Sequence, residues 1–314
     1  MKFNKALLIG INETQLGMPY WQRINGLIKN KVFLPKDSPK ISENLKTTDC
    51  LLVGFGIALT KEDIDIAQNL KYIGVLATAY GKIDTNYAKK KGITICNLPG
   101  YSTESVAEFV LAVVLEQIRG LEEGKRRVRA GDVSEAGILT LEIKNKIFGV
   151  IGLGSIGSRV AEIALGFGAD VRYWSRNKKK KEEKKGIKYE SLDSLVLKAD
   201  ILSINLAQTP ETEKVMDKKR FLALKKGSVV VNTAPMELVD FDALAKRLAK
   251  KDITFIFDHS DEMKKEDLQR LSKFENCVIY PPMAYITPEA AINRQEMFTS
   301  NLENFLKGKS TNAV

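Results

Sequence analysis

The sequence predicts an α/β protein of two domains in tandem, each a parallel sheet with helices on both faces. Three observations carry that expectation. Short apolar runs alternate with amphipathic stretches along the chain, the pattern of strand–helix–strand units. The alternation comes as two series, separated by a polar stretch around Arg126 to Ala136. A length of 314 residues, 44% of them hydrophobic, exceeds what one core usually organises.

Taken in order, "KALLIGI" reads as a strand and "YWQRINGLIK" as the amphipathic helix after it. "DCLLVGF" and "KEDIDIAQNL" repeat the unit, as do "YIGVLATA" with "IDTNYAKKK", and "ITICNLP" with a long helix over Thr103 to Arg119. The second series opens with "IFGVIGLGSIG" and continues through the strands "DVRYWS", "ADILSINL", "GSVVVNTA", "ITFIFD" and "CVIYPP". A helix is expected to start near Asp240, and a last one over Pro288 to Leu306 is free to cross back to the first domain.

Composition narrows the function classes. No apolar run approaches the roughly 18 residues of a membrane span, and "ALLIGI" is too short for a signal-peptide core, so a cytoplasmic location is expected. Three cysteines, Cys50, Cys96 and Cys277, lack the close spacing of a metal site or redox pair and read as reduced core residues; no metal site is expected. The net charge of +10 and the run Lys178 to Lys181 raise the idea of a nucleic-acid partner. Interleaved acidic residues disfavour it.

The most informative motif is Gly152-Leu-Gly154-Ser-Ile-Gly157, because it follows a strand and opens a helix as a dinucleotide-binding turn does. Gly152 permits the tight turn, Gly154 lets backbone approach a pyrophosphate, and Gly157 lets helix and strand pack closely, while the helix N-terminus supplies amides and partial positive charge. One strand later, an NAD site places an acidic residue about 20 positions past the glycines, for the ribose 2′-hydroxyl. Here the position reads Ser175-Arg176-Asn177-Lys178. Arg176 offers a planar fork for a 2′-phosphate, Ser175 and Asn177 offer donors and Lys178 a point charge, so NADP(H) is preferred over NAD(H).

Read in order, "VLATAYGKID", "GITICNLPGYSTESVAEFVLAVVL", "GLGSIG", "INLAQTPET", "VVVNTA" and "ITFIFD" resemble the motif series of the D-isomer-specific 2-hydroxyacid dehydrogenases. The likeness covers roughly residues 50 to 300 and is similar in particular to the glyoxylate and hydroxypyruvate reductase branch. It implies two Rossmann- and flavodoxin-like domains around an interdomain cleft and a homodimer formed through the coenzyme domain. Residues 1–100 with 287–314 would form the substrate domain, and 101–286 the dinucleotide-binding one. It further implies that Ser155 and Ile156 lie in the pyrophosphate turn, Asn205 and Ala207 beside the adenosine, and Ala234 and Asp258 at the nicotinamide amide. Thr78 and Ala79 fall where backbone amides grip a substrate carboxylate, with alanine where the family usually has glycine.

The chemistry-bearing loops depart from that pattern. Where the family places Arg-Gly after Asn-Thr-Ala, this chain has Pro235-Met236; where it places Pro-His, this chain has Pro281-Pro282. Asp261 stands for the Glu that orients the missing histidine. His259, the only histidine, is a rival acid, although alternation along a strand would turn it to the core if Asp258 faces the coenzyme. Tyr285 and Tyr80 are further candidate donors. Two readings stay open: an NADP(H)-dependent reductase of a small 2-keto acid or related carbonyl with an atypical triad, or a pseudoenzyme that binds NADP(H) in a regulatory or binding role.

Overall fold

The computed structural model describes residues 2–81 and 83–314. It divides into two compact units, Met1–Ser102 with Thr287–Val314, and Thr103–Ile286. Among the described residues, both units are parallel α/β sheets, the fold class expected from the sequence.

In the first unit the chain runs β1 (Phe3–Ile9), α1 (Met18–Leu27), β2 (Ile28–Leu34), α2 (Ile41–Leu45), β3 (Cys50–Val53), α3 (Lys61–Ile66), β4 (Tyr72–Val75), α4 (Thr85–Lys90) and β5 (Thr94–Cys96). The strands are ordered β2-β1-β3-β4-β5. β3 and β4 are buried along their whole length, which is why they read as continuous apolar runs. The helical reading of "YWQRINGLIK" overran: the helix stops at Leu27 and Ile28 already pairs with Phe3. β2 is an edge strand with one buried residue, so "IKNKVFL" carries no burial pattern for sequence reading to detect.

The second unit runs α5 (Thr103–Arg119), α6 (Leu121–Arg129), β6 (Ile147–Ile151), α7 (Ser155–Gly166), β7 (Asp170–Trp174), α8 (Lys180–Glu183), β8 (Lys188–Tyr189), α9 (Leu192–Lys198), β9 (Ile201–Ile204), α10 (Lys218–Ala223), β10 (Val229–Asn232), α11 (Phe241–Leu248), β11 (Thr254–Phe257), α12 (Lys265–Leu271) and β12 (Cys277–Ile279). Its strands are ordered β12-β11-β10-β9-β6-β7-β8. The chain starts at the centre with β6, builds outward to β8, then jumps back to lay β9 on the other side of β6. That reversal opens a crevice at the carboxyl ends of β6 and β9, where doubly wound sheets take their ligands. The polar stretch after Arg119 is partly helical: α6 buries nothing and is laced by Glu123 to Arg126 and Arg127.

α13 (Pro288–Leu306) belongs to the first unit, capped by Thr287, whose hydroxyl accepts from the Ala290 amide at 3.0 Å. It buries Phe298 and Leu302 among the residues of β1, β3 and β4, and Arg23 on α1 pairs with its Glu296 and Glu303. Cys50, Cys96 and Cys277 are buried and unbridged. No helix among the described residues is long and apolar enough to cross a membrane.

Candidate functional site

The turn from β6 into α7 is shaped by three glycines with different tasks. Gly152 has φ of +93°, and a Cβ there would sit 2.8 Å from the Asn205 carbonyl oxygen at the end of β9. A Cβ on Gly157 would sit 2.0 Å from the Gly152 carbonyl oxygen. Both are required by the fold itself. Gly154 is different: it caps α7 without a side-chain hydrogen bond, is exposed, and a Cβ there would meet nothing within 4 Å. The helix therefore begins with open amides and Ser155 exposed beside them, the arrangement that receives an anion. Ile156 is half-buried and packs on the α5–α7 core.

At the end of β7, Ser175 is buried and its hydroxyl donates to the Asn177 carbonyl at 2.6 Å, which folds the turn back on itself. Arg176 and Asn177 are exposed, and Lys178 lies over the Tyr189 ring, Nζ 4.8 Å from its centroid. The Glu211 carboxylate in the loop after β9, held low chiefly by Thr209, also feels the Arg176 charge. In that loop Ala207 is exposed and its carbonyl accepts from the Thr212 hydroxyl.

The apolar loop after β10 has a packing reason. Asn232 is fully buried; its Nδ2 donates to the Ala234 carbonyl at 2.9 Å, and its Oδ1 accepts from the Ala234 amide at 3.3 Å. Ala234, Met236 and Leu238 turn into the hydrophobic core on one face of the sheet, leaving Pro235 half-buried. Met236 is thus a core residue.

Asp258 follows the end of β11 and is buried. One carboxylate oxygen accepts from the Ala284 amide at 3.0 Å and the other has no partner. Burial pushes this carboxyl above its usual range, against the pull of the Ala284 amide and the His259 charge. His259 does not face the core. The chain leaves strand geometry after Phe257, so strand alternation no longer applies, and the ring is half-buried with Nε2 3.3 Å from the Thr233 carbonyl oxygen. Its Nδ1 lies 3.2 Å from Glu262 and its Nε2 3.8 Å from Asp258. Burial works against the charged ring, but Glu262, Asp258 and the Thr233 carbonyl outweigh it and hold the imidazole above its ordinary value. Asp261 is exposed in the following turn. Glu262 escaped the sequence reading, although its i+3 spacing from His259 was the available signal.

After β12, the Tyr280 hydroxyl donates to Glu116 at 2.8 Å, and burial together with that carboxylate pushes the phenol up to about 12. Pro282 is half-buried, Ala284 is clamped between Asp258 and the Ser105 hydroxyl, and Tyr285 is exposed. In the first unit, the loop after β4 is braced by the Thr78 hydroxyl donating to the Leu98 carbonyl at 3.0 Å and by Asn97 Nδ2 donating to the Thr78 carbonyl at 2.6 Å. Ala79 and Tyr80 are exposed, and among the described residues nothing bonds the amides of residues 78 to 80.

A dinucleotide fits the second unit on one further observation. Asn205 Oδ1, Thr233 Oγ1 and Asp258 Oδ1 are buried without partners, and they stand directly after β9, β10 and β11, three adjacent strands. Buried polar atoms are ordinarily satisfied, so three at neighbouring strand ends mark where a polar ligand completes them.

Comparison with known proteins agrees with this geometry. The family model described as D-isomer specific 2-hydroxyacid dehydrogenase, NAD binding domain, matches residues 111–284. A glyoxylate reductase of Aeropyrum pernix is 34% identical over 77% of this chain and 75% of its own. Among solved structures, a D-lactate dehydrogenase from Aquifex aeolicus, complexed with NAD and lactic acid, matches with a TM-score of 0.84 and 28% identity, covering 97% of this chain and 96% of that one. An acyclic imino acid reductase in complex with NADPH and D-Arg matches with a TM-score of 0.87 and 28% identity over 98% and 99% of the two chains. With its glycine turn at the switch point of a doubly wound sheet, this chain belongs to the D-isomer specific 2-hydroxyacid dehydrogenase family.

Proposed function

We propose that this chain is an NADP(H)-dependent oxidoreductase that reduces a small 2-keto acid or a related carbonyl or imine. The observation that carries the reading is the row of unpartnered Asn205, Thr233 and Asp258 atoms beside the open start of α7. In this reading the unit Thr103–Ile286 holds the coenzyme, which when bound supplies the hydride. The α7 amides at Gly154 to Ile156 hold the pyrophosphate, Asn205 and Ala207 border the adenosine, and Ala234 and Asp258 hold the nicotinamide amide. Arg176, with Ser175, Asn177 and Lys178, takes the 2′-phosphate. The amides of Thr78, Ala79 and Tyr80 bind the substrate carboxylate, and the protein works as a cytoplasmic homodimer.

Substrate choice follows from Pro235 and Pro282, which supply neither a guanidinium nor an imidazole. A protonated imine already carries the charge that a ketone gains only from an acid, so a C=N substrate suits such loops, and the NADPH-bound neighbour is an imino acid reductase. Tyr285 and His259 are the remaining proton donors, with Asp261 in the slot of the orienting carboxylate. The second reading, an NADP(H)-binding pseudoenzyme, is favoured by the same two prolines.

Losing the contacts to a 2′-phosphate should cost on the order of 1.5–3 kcal/mol, so NADH should bind roughly 10- to 150-fold more weakly than NADPH in a titration. Equal binding would sink the coenzyme assignment. NADPH consumption should be screened with glyoxylate and hydroxypyruvate, alone and with ammonia or a primary amine. Keto acids alone are expected to turn over far below the usual range of about 1–10³ per second, and the amine to raise the rate. Silence throughout the screen would favour the pseudoenzyme.

A further inference from the structure

The two ring nitrogens of His259 face groups that only accept hydrogen bonds: the Thr233 carbonyl at 3.3 Å and the Glu262 carboxylate at 3.2 Å. A neutral imidazole has one N–H and satisfies one of them; the imidazolium satisfies both. A third acceptor is near, since the unpartnered oxygen of buried Asp258 lies 3.8 Å from Nε2. A buried carboxylate without a counter-charge is expensive, and this ring is the cation beside it. The charged groups around the ring are Glu262 and Asp258, with Asp261 adding repulsion at Asp258; from β10 comes only an uncharged carbonyl.

The contact with Thr233 matters because of the peptide it holds. The Thr233–Ala234 peptide presents its N–H to Asn232 Oδ1 at 3.3 Å and its carbonyl oxygen to His259 Nε2 at 3.3 Å, so its plane is set from both sides. Ala234 and Asp258 are the residues proposed to hold the nicotinamide amide.

We propose that His259 is a positioning residue that acts as a cation: it pins the Thr233–Ala234 peptide and lends Asp258 a partial counter-charge, so that two strand ends present one rigid face to the nicotinamide end of the coenzyme. This rests on the coenzyme reading above. The ring is held charged above its ordinary range, and the brace is lost as pH rises through its titration.

Because the chain has a single histidine, proton NMR follows its ring in the free protein without assignment. The expected midpoint lies above about 6.5 and falls in Glu262→Gln. A ring that is neutral throughout overturns the proposal. NADPH affinity should then be measured across the same titration. The unmodified protein is expected to lose about 3- to 10-fold in affinity as the ring deprotonates, a brace of one charged hydrogen bond. His259→Gln should bind weakly at every pH, and Glu262→Gln should shift the loss to lower pH. If His259→Gln keeps both the affinity and its pH dependence, His259 positions nothing; if His259→Gln fails to fold, the Glu262→Gln shift decides. NADPH binding at no pH, with the ring titrating as expected, would remove the coenzyme reading and this role together, whereas strong binding that ignores the ring's charge removes the role alone.

Discussion

At the residue scale, the three glycines of one turn separate structural need from ligand need. Gly154 has open space at its Cβ position and φ of −82°, which any residue adopts, so Gly154→Ala should leave the melting temperature nearly unchanged while weakening NADPH binding measured by titration. Gly157→Ala drives a Cβ into the Gly152 carbonyl, so it should destabilise the protein even without coenzyme. Equal effects on stability from the two changes would refute this division. Asp258 makes the opposite trade. Its carboxyl is raised because burial outweighs the Ala284 amide and the His259 charge, so the favourable contribution belongs to the protonated form and disappears as pH rises through the raised value; at neutral pH the charge is a burden that His259 offsets only in part. Asp258→Asn keeps an oxygen for the Ala284 amide and should raise the melting temperature of the free protein by a few degrees while lowering its affinity for NADPH. A lowered melting temperature would show that the charge is compensated better than the geometry implies.

Elements show where pattern and environment part company. β2 and β8 each lie at one edge of their sheet and are short of burial, and neither carried a readable apolar pattern, whereas the opposite edges, β5 and β12, bury enough to be read. β8 is tied on by charge. Glu190 just beyond it accepts from Arg172 on β7 at 3.1 Å and from Ser194 at 2.6 Å, and also pairs with Lys198. Burial works against the Glu190 charge, but these partners win and hold the carboxyl at about 2. A depressed carboxyl stabilises the fold above its ordinary value and loses that contribution as pH falls toward the folded value. Melting temperature should therefore decline on acidification between about 4.5 and about 2, and Glu190→Gln should flatten that part of the curve. A variant with an unchanged acid limb would assign the decline to other carboxylates, such as Asp170.

For the whole molecule, part of the lysine-rich region is engaged locally, although paired charges leave the net surplus of +10 as it is. Lys185 pairs with Glu162 and Glu182, and Lys188 and Arg172 with Asp170. The two altered loops are best tested together. Pro235 has φ of −51° and ψ of 142°, open to an arginine backbone, and both prolines are half-buried. Pro235→Arg with Pro282→His should raise glyoxylate turnover by more than the product of the single effects, because clamp and acid serve one transition state. Rates of the double variant no better than those of either single change would show that these loops no longer aim at the substrate.

The sequence by itself determined the α/β class, the two series of strands and the glycine turn, because these follow from periodicity and chemistry within a few dozen consecutive residues. The carboxylate-free end of β7 was legible for the same reason: its residues are contiguous. Tertiary structure decided the rest. Only strand order sets β9 beside β6 and opens the crevice there, and only packing turns Met236 into the core. The state of His259 depends on Thr233, 26 residues away in sequence, and the alternation that would have sent the ring inward ends with the strand. Such outcomes rest on pairings between distant segments, and no local pattern of residue types records which acceptor a ring nitrogen will meet.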